Sequence, residues 1–234
     1  MFNDYLDLLA HFGFGGAHPG GFNLTQTILE SEIISPGDSV LDIGCGTGQT
    51  AVFLTMNYEC QVTAVDNHPV MLEKARERFT RNVLKIKIIE GDAQKLTLDN
   101  NSFDLIIAES VIAFTDISKT LQELSRVLKK DGRLIMIEMT AERELSEQLQ
   151  EKVCRLYGIR EVLSEEQWLL KLQQVGFNKV DLINTTSGLE KTEINDINPS
   201  ENIQTKFYDL WEEHQQFMEQ NAHLIGFRAF KCQF

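Results

Sequence analysis

"VLDIGCGTGQT", residues 40 to 50, decides the fold: an apolar run breaks into three glycines, Gly44, Gly46 and Gly48, with an acid, Asp42, two residues before the first. A strand that ends in a glycine loop and opens into a helix presents backbone N–H groups and the positive end of a helix dipole to a ligand. The dinucleotide fingerprint has the spacing G-x-G-x-x-G and seats a pyrophosphate on the helix N-terminus. Here the spacing is G-x-G-x-G, and Asp42 would repel a pyrophosphate held at this loop. A cationic or zwitterionic ligand is the better fit.

Outward from the loop, short β-branched runs alternate with helical periodicity, the pattern of a parallel sheet covered by helices. Strands are predicted at 39–43, 61–65, 86–90, 103–108 and 133–139. Helices are predicted over about 48–56, through "HPVMLEKARERF" (68–79), and through "ISKTLQELSRVLKKDG" (117–132), where two lysines before Gly132 read as a helix end. Glu142 to Tyr157 reads as helical, and Ser164 with the acids after it caps another helix that Gly176 stops. "NKVDLINTT" and the terminal "IGFRAFKCQF" alternate as two further strands, the last antiparallel. The fold class is α/β, a doubly wound sheet in a single domain over 1–234.

Composition narrows the partners. The 234 residues carry 35 acids against 22 bases, a net charge of -13 that repels polyanions and argues against nucleic acid. The basic stretch "KARERFTR" (74–81) reads as a solvated helix face. No apolar run approaches the roughly 20 residues of a membrane helix. The N-terminus has acids where a secretory signal carries bases, so a cytoplasmic location is expected. Cys45, Cys60, Cys154 and Cys232 form no CxxC pair, so the expectation is free thiols and no metal. A homodimer is compatible with the sequence.

Two further acids follow strands. Asp66 ends the second strand, where a carboxylate accepts the hydroxyls of a ribose, and Asp92 follows the third, where it can take a hydrogen bond from an exocyclic amino group such as that of adenine. Any one of the three acids could instead cap a helix or turn. Together they ring one crevice at the C-terminal edge of the sheet. An adenosine with a positive charge and an amino-acid tail satisfies all three, and S-adenosylmethionine (SAM) is such a molecule.

The ordered set "VLDIGCGTGQT", "VTAVDNHPVMLEKARER", "IIEGDAQKL", "FDLIIAESVIAF" and "LQELSRVLKKDGRLIMIE" resembles the motif series of the class I SAM-dependent methyltransferases, over about residues 35–140. The resemblance implies a Rossmann-like sheet of seven strands, order 3-2-1-4-5-7-6, with strand seven reversed. It implies that Asp42 and the backbone of Gly44, Cys45, Gly46 and Gly48 face the methionine portion of SAM. Asp66 would then bind the ribose, Asn67 or Met71 border the adenine, and Asp92 with Ala93 contact its amino edge. Glu109 and Ser110 match the position that borders the cofactor tail and the substrate.

Methyl transfer from a sulfonium is an in-line displacement that leaves S-adenosylhomocysteine (SAH), so the protein chiefly aligns the nucleophile and excludes water. If a base is used, His18, Glu109 and Glu138 are the candidates by predicted location. "AESV" at the fourth strand end lacks the Asn/Asp-Pro-Pro-Tyr/Phe pattern associated with base or glutamine N-methylation, and the isolated thiols give little support for arsenite chemistry. The expected acceptor is a small molecule, with O-, N- or C-methylation open. Its pocket is expected after Thr140, with Tyr157, Trp168, Phe207, Tyr208 and Trp211 available as walls. The glycine- and phenylalanine-rich "HFGFGGAHPGGF" (11–22), within an N-terminal flap of about 1–35, reads equally as a closing flap or an entry loop. Residues 187–222 read as a C-terminal insertion or lid. A non-catalytic SAM or SAH sensor and an NAD-dependent oxidoreductase are the alternatives.

Overall fold

A computed structural model describes residues 3–184 and 194–234. Seven strands, β1 (Ser39–Ile43), β2 (Gln61–Asp66), β3 (Lys87–Glu90), β4 (Phe103–Glu109), β5 (Leu128–Ala141), β6 (Lys179–Asn184) and β7 (Ile225–Gln233), form one sheet in the order 3-2-1-4-5-7-6. The β3, β2, β1, β4 and β5 neighbours are parallel, and β7 runs antiparallel to both β5 and β6. The order reverses between β1 and β4, so their C-terminal ends open the crevice where an α/β sheet binds its ligand.

The two-residue period of the strands assigns each side chain a face. Val40, Leu105, Ile107, Ile135 and Ile137 pack beneath α2 (Gly21–Glu30), α3 (Gln49–Tyr58) and α4 (Pro69–Arg81). Leu41, Ile106, Leu134 and Met136 pack on the opposite face, beneath α5 (Ile117–Val127) and α7 (Glu165–Gln174). Because both faces are covered, these strands are near-continuous apolar runs. The acids that interrupt the runs, Asp42, Glu109 and Glu138, lie at strand ends beside the crevice.

A second layer stands above the C-terminal edge. It comprises α1 (Asp4–Phe12), α6 (Glu147–Tyr157) and α8 (Thr205–Asn221), joined by clusters around Leu8, Phe207, Tyr157 and Phe217. Local signals fix their ends: Asn3 and Ser146 cap α1 and α6 with their side chains, and Ser164 with Gln167 closes a capping box on α7.

The structure departs from the sequence reading in three places. Residues 4–12 and 21–30 are helical, although their glycine-rich surroundings suggested flap or loop. The α2 stripe of Leu24, Ile28 and Leu29 is buried against the sheet. The lysines taken as a helix end belong to the long β5, which starts at Leu128 rather than at residue 133. Lys129 there forms an ion pair with Asp104 at 2.8 Å, and Asp104 also accepts the Ser39 N–H, a structural role for that acid. Finally, the expected helix from Glu142 begins only at Glu147. Of the 187–222 segment, residues 187–193 lie outside the described residues; the rest supplies a short strap, 194–200, and α8.

Candidate active site

The glycine loop after β1 is pinned to β2 by Gly44 N–H and Cys45 N–H, which donate to the Val65 carbonyl at 2.7 and 3.0 Å. Gly44 sits at φ 68°, where an added Cβ would lie 2.3 Å from Val111 Cγ2, so only glycine fits. The Gly46 N–H donates to Asp66 Oδ2 at 2.9 Å, and His68 N–H donates to Oδ1 at 2.8 Å. The loop and the second strand's acid are thus one hydrogen-bonded unit.

This unit borders a cleft of about 170 Å³. Every residue expected to bind the cofactor, Asp42, Gly44, Cys45, Gly46, Asp66, Asn67, Met71, Asp92, Ala93, Glu109 and Ser110, lines it, except Gly48. Gly48 instead caps α3 at φ 79° and packs against Phe79 and Ala75. Four of the lining residues are carboxylic acids, and among the described lining residues none is lysine or arginine.

Asp42 is the most deeply placed acid, 3 % exposed, and its Oδ2 has no hydrogen-bond partner. Burial raises its carboxyl well above the usual range, and the charges of Glu109 and Asp66 push the same way. Asp66 is also raised by burial, against the pull of its backbone N–H partners. A second orphaned oxygen, Gln49 Oε1, faces the same cleft. Buried acceptors without donors, amid acids with no lysine or arginine among the described lining residues, mark a place for a ligand that brings cationic N–H or sulfonium charge.

Asp92 is exposed, and its carboxylate holds the Gln94 side chain and backbone N–H. Cys45 is a buried thiol raised by burial, which removes it as a nucleophile.

Glu109, at the end of β4, sits in a network the sequence reading did not assemble. Thr50 Oγ1 donates to its Oε2 at 2.7 Å, and Thr25 Oγ1 donates to its Oε1. Thr25 Oγ1 also lies 3.1 Å from His18 Nε2, which is 3.6 Å from Glu109 Oε1; the single Thr25 proton serves Glu109, so Nε2 takes no hydrogen bond from it. His18 Nδ1 lies 3.1 Å from the Pro19 carbonyl, which can only accept, so Nδ1 carries a proton. His18 and Thr25 come from the N-terminal segment, which the two helices α1 and α2 carry over the cleft.

Glu138, the third candidate base, is fully buried. Its oxygens accept the backbone N–H groups of Val111, Ile112 and Ala113 at 3.0, 2.8 and 3.3 Å, at the start of a short 3-10 turn, 112–114. Burial raises its carboxyl to about 7 against those three donors. The geometry makes it the anchor of the turn that follows Ser110, a residue itself held at φ 53°.

A larger cavity, about 280 Å³, adjoins the cleft and shares Leu6, Leu9, Ala17, His18, Ser110 and Phe114 with it. Of the five aromatics named from the sequence, Tyr157 and Trp211 line this cavity. Trp168 is core, its Nε1–H donating to the Met139 carbonyl; Phe207 packs under α1, and Tyr208 is exposed beside Phe12. His214, Tyr5 and the 3-10 turn were not foreseen as walls, because no local motif marks them.

The family described as methyltransferase domain matches residues 34–196, more than half of the chain. The uncharacterized methyltransferase YodH of Bacillus subtilis is 34% identical over 97% of this chain and 97% of its own. This chain belongs to the class I SAM-dependent methyltransferases. A more distant relative of this methyltransferase is the (+)-O-methylkolavelool synthase of Herpetosiphon aurantiacus, 27% identical over 73% of this chain and 61% of that one. Among solved structures, phosphoethanolamine N-methyltransferase 2 of Haemonchus contortus, in complex with phosphomonomethylethanolamine and SAH, superimposes with a TM-score of 0.71 at 21% identity. The likeness covers 99% of this methyltransferase and 57% of that chain, and it shows the shared fold.

Proposed function

We propose that the cleft holds SAM and the adjoining cavity holds a small-molecule acceptor, with the methyl group crossing where His18 and Ser110 line both. The observation that carries this reading is the orphaned, desolvated Asp42 in a cleft with four acids and, among its described lining residues, no lysine or arginine. The cationic methionine end of SAM would supply the missing charge, while Asp66 offers its carboxylate to the ribose. Asp92 and Ala93 would border the adenine.

His18 would serve as the base. SAM held here would supply the methyl group: an acceptor hydroxyl oxygen would take the methyl carbon as the C–S bond breaks with its electron pair going to sulfur, and the hydroxyl proton would pass to His18 Nε2, the ring nitrogen left bare when Nδ1–H faces the Pro19 carbonyl. Glu109 stands 3.6 Å away to offset the charge the ring acquires. The Herpetosiphon relative is named as the synthase of an O-methyl product, in keeping with an oxygen acceptor.

Among the described residues no helix is long and apolar enough to cross a membrane, and with four free thiols a cytoplasmic setting is the reading favoured.

The N-terminal segment would act as a roof that opens to admit SAM. Its glycine stretch is tied to the strap: Gly15 N–H donates to the Asp196 carbonyl and Asn198 N–H to the Gly13 carbonyl, at 2.9 and 3.0 Å. Arg78 links the strap to the cofactor loop, donating to Asp196 Oδ2 at 2.6 Å and to the Thr47 carbonyl at 2.7 Å. Proteolysis within residues 13–21 should slow when SAH binds, and equal cleavage would reject closure.

Isothermal titration with SAH and NADH, followed by turnover of methyl-labelled SAM over a panel of hydroxylated acceptors, tests the whole reading. SAH binding without NADH binding is expected. His18→Ala should lower kcat by about 100-fold with SAH affinity kept, whereas unchanged turnover would remove His18 as base.

A further inference from the structure

The acceptor cavity carries a chemical selection of its own. Among its described lining residues there is no lysine or arginine. Its two acids are unavailable for catching a cation deep inside, since Glu138 is spent on three backbone N–H groups and Glu219 is exposed at the rim. The walls are Tyr5, Phe114, Tyr157 and Trp211 with Met139 and Met218. An anionic acceptor would lose its hydration here and find no counter-charge.

At the end that the cofactor cleft does not share, Tyr157 Oη and His214 Nδ1 lie 3.0 Å apart. Trp211 stacks on His214 at 4.9 Å, and Tyr5 meets Tyr157 edge-on at 4.8 Å, so neighbours on α1 and α8 hold both rings in place. Burial lowers the His214 imidazole to about 4 and raises the Tyr157 phenol far above its usual range, so the pair is neutral near pH 7. A neutral tyrosine–histidine pair has two N–H or O–H protons and uses one in its mutual bond. If Tyr157 donates, His214 keeps Nε2–H; if His214 donates, Tyr157 keeps its O–H. Either way one donor is left over in an apolar wall, where it seeks an oxygen acceptor.

We propose that the methyl acceptor is an uncharged, ring-bearing molecule that presents its hydroxyl to His18 and a hydrogen-bond-accepting oxygen, such as a carbonyl, to the Tyr157–His214 pair. This rests on the methyl-transfer reading above and adds the substrate class. It also separates this chain from its structural neighbour that holds a phosphorylated amine, since a phosphate would meet no lysine or arginine among the described residues lining this cavity.

The test uses four probes on the full chain saturated with SAH: 4-hydroxyacetophenone, 4-ethylphenol, 4-hydroxybenzoate and 4-hydroxyphenyl phosphate, with affinity read by calorimetry. The ketone should bind about tenfold or more tighter than either anion, and about fivefold tighter than 4-ethylphenol, the difference a single hydrogen bond supplies. In Tyr157→Phe/His214→Leu the preference for the ketone over 4-ethylphenol should vanish, with SAH affinity and thermal stability reporting that the variant folds. Anions that bind as well as the ketone, a preference that survives in the folded double variant, or no binding by any probe would each overturn the proposal. The wild-type panel decides it even if the variant fails to fold. Loss of SAH binding itself would instead sink the cofactor reading, so the two failures are distinguishable.

Discussion

The cofactor cleft and the acceptor cavity share a wall yet are built on different principles. The cleft is a polar site made largely from strand ends and backbone, with Asp42, Asp66 and the glycine loop fixed by hydrogen bonds to one another and to β2. The cavity is an apolar site made from α1, α6, α8 and the turn after β4, elements that meet only because they pack on shared apolar clusters. The difference teaches that the cleft depends on a few residues at fixed spacing, whereas the cavity depends on how separate helices dock. If so, substitutions in the cleft and in the cavity should be separable in their effects.

The sharpest way to break that comparison is Gly44→Ala. A Cβ there combines left-handed strain of about 1 to 2 kcal/mol with a clash against Val111, and should weaken SAH by about 100-fold in calorimetry. Since Val111 also opens the turn beside the cavity, an equal loss of 4-hydroxyacetophenone binding would show that the two sites are one unit.

Glu138 tests the turn between them. Its carboxyl is raised to about 7, so at pH values above the unfolded value of about 4.5 the folded state holds a proton that the unfolded state has released. Folding stability from this group is therefore full at low pH and falls as pH rises toward 7, by about 2 kcal/mol. Glu138→Gln should lack that fall, so the stability of wild type relative to the variant drops from pH 5 to pH 8 in urea denaturation. A gap constant with pH would contradict the assignment.

A third expectation concerns the ribose acid. Asp66→Ala removes the acceptor of two backbone N–H groups and the proposed ribose contact, and should cost about 1 to 3 kcal/mol of SAH affinity. Binding of the phenol probes should change little, which would sharpen the separation. The smallest effect is a proton count. If Asp42 holds a proton in the empty cleft because burial raises it, a cationic cofactor should displace a fraction of that proton. SAM titrations in buffers of different ionisation enthalpy should show net proton release that Asp42→Asn diminishes.

Legibility followed the same division. The G-x-G-x-G loop, the strand-end acids and the sheet order were readable because they depend on backbone conformations that only glycine adopts, on strand periodicity and on an ordered set of local motifs. Gly48 alone of the expected cofactor residues faces away, since its task is to let α3 start against Phe79. Thr25, Thr50 and Gln49 were missed: each is an ordinary helical residue until α2 and α3 bring it to Glu109 or into the cleft. Glu138 was named as a candidate base, but its three N–H partners come from residues 111–113, a contact no spacing announces.

By itself, then, the sequence determined the parallel sheet, the glycine loop and the family, because those features are encoded over spans of a few residues by backbone geometry and strand periodicity. Only the tertiary structure decided that His18 would stand beside Glu109, that α1 and the segment joining it to α2 would line the cleft, and that Tyr157 would meet His214 across 57 positions of chain. Those meetings arise from apolar faces docking between distant helices. The docking energy is non-directional, so its partners become identifiable only when the whole chain has packed.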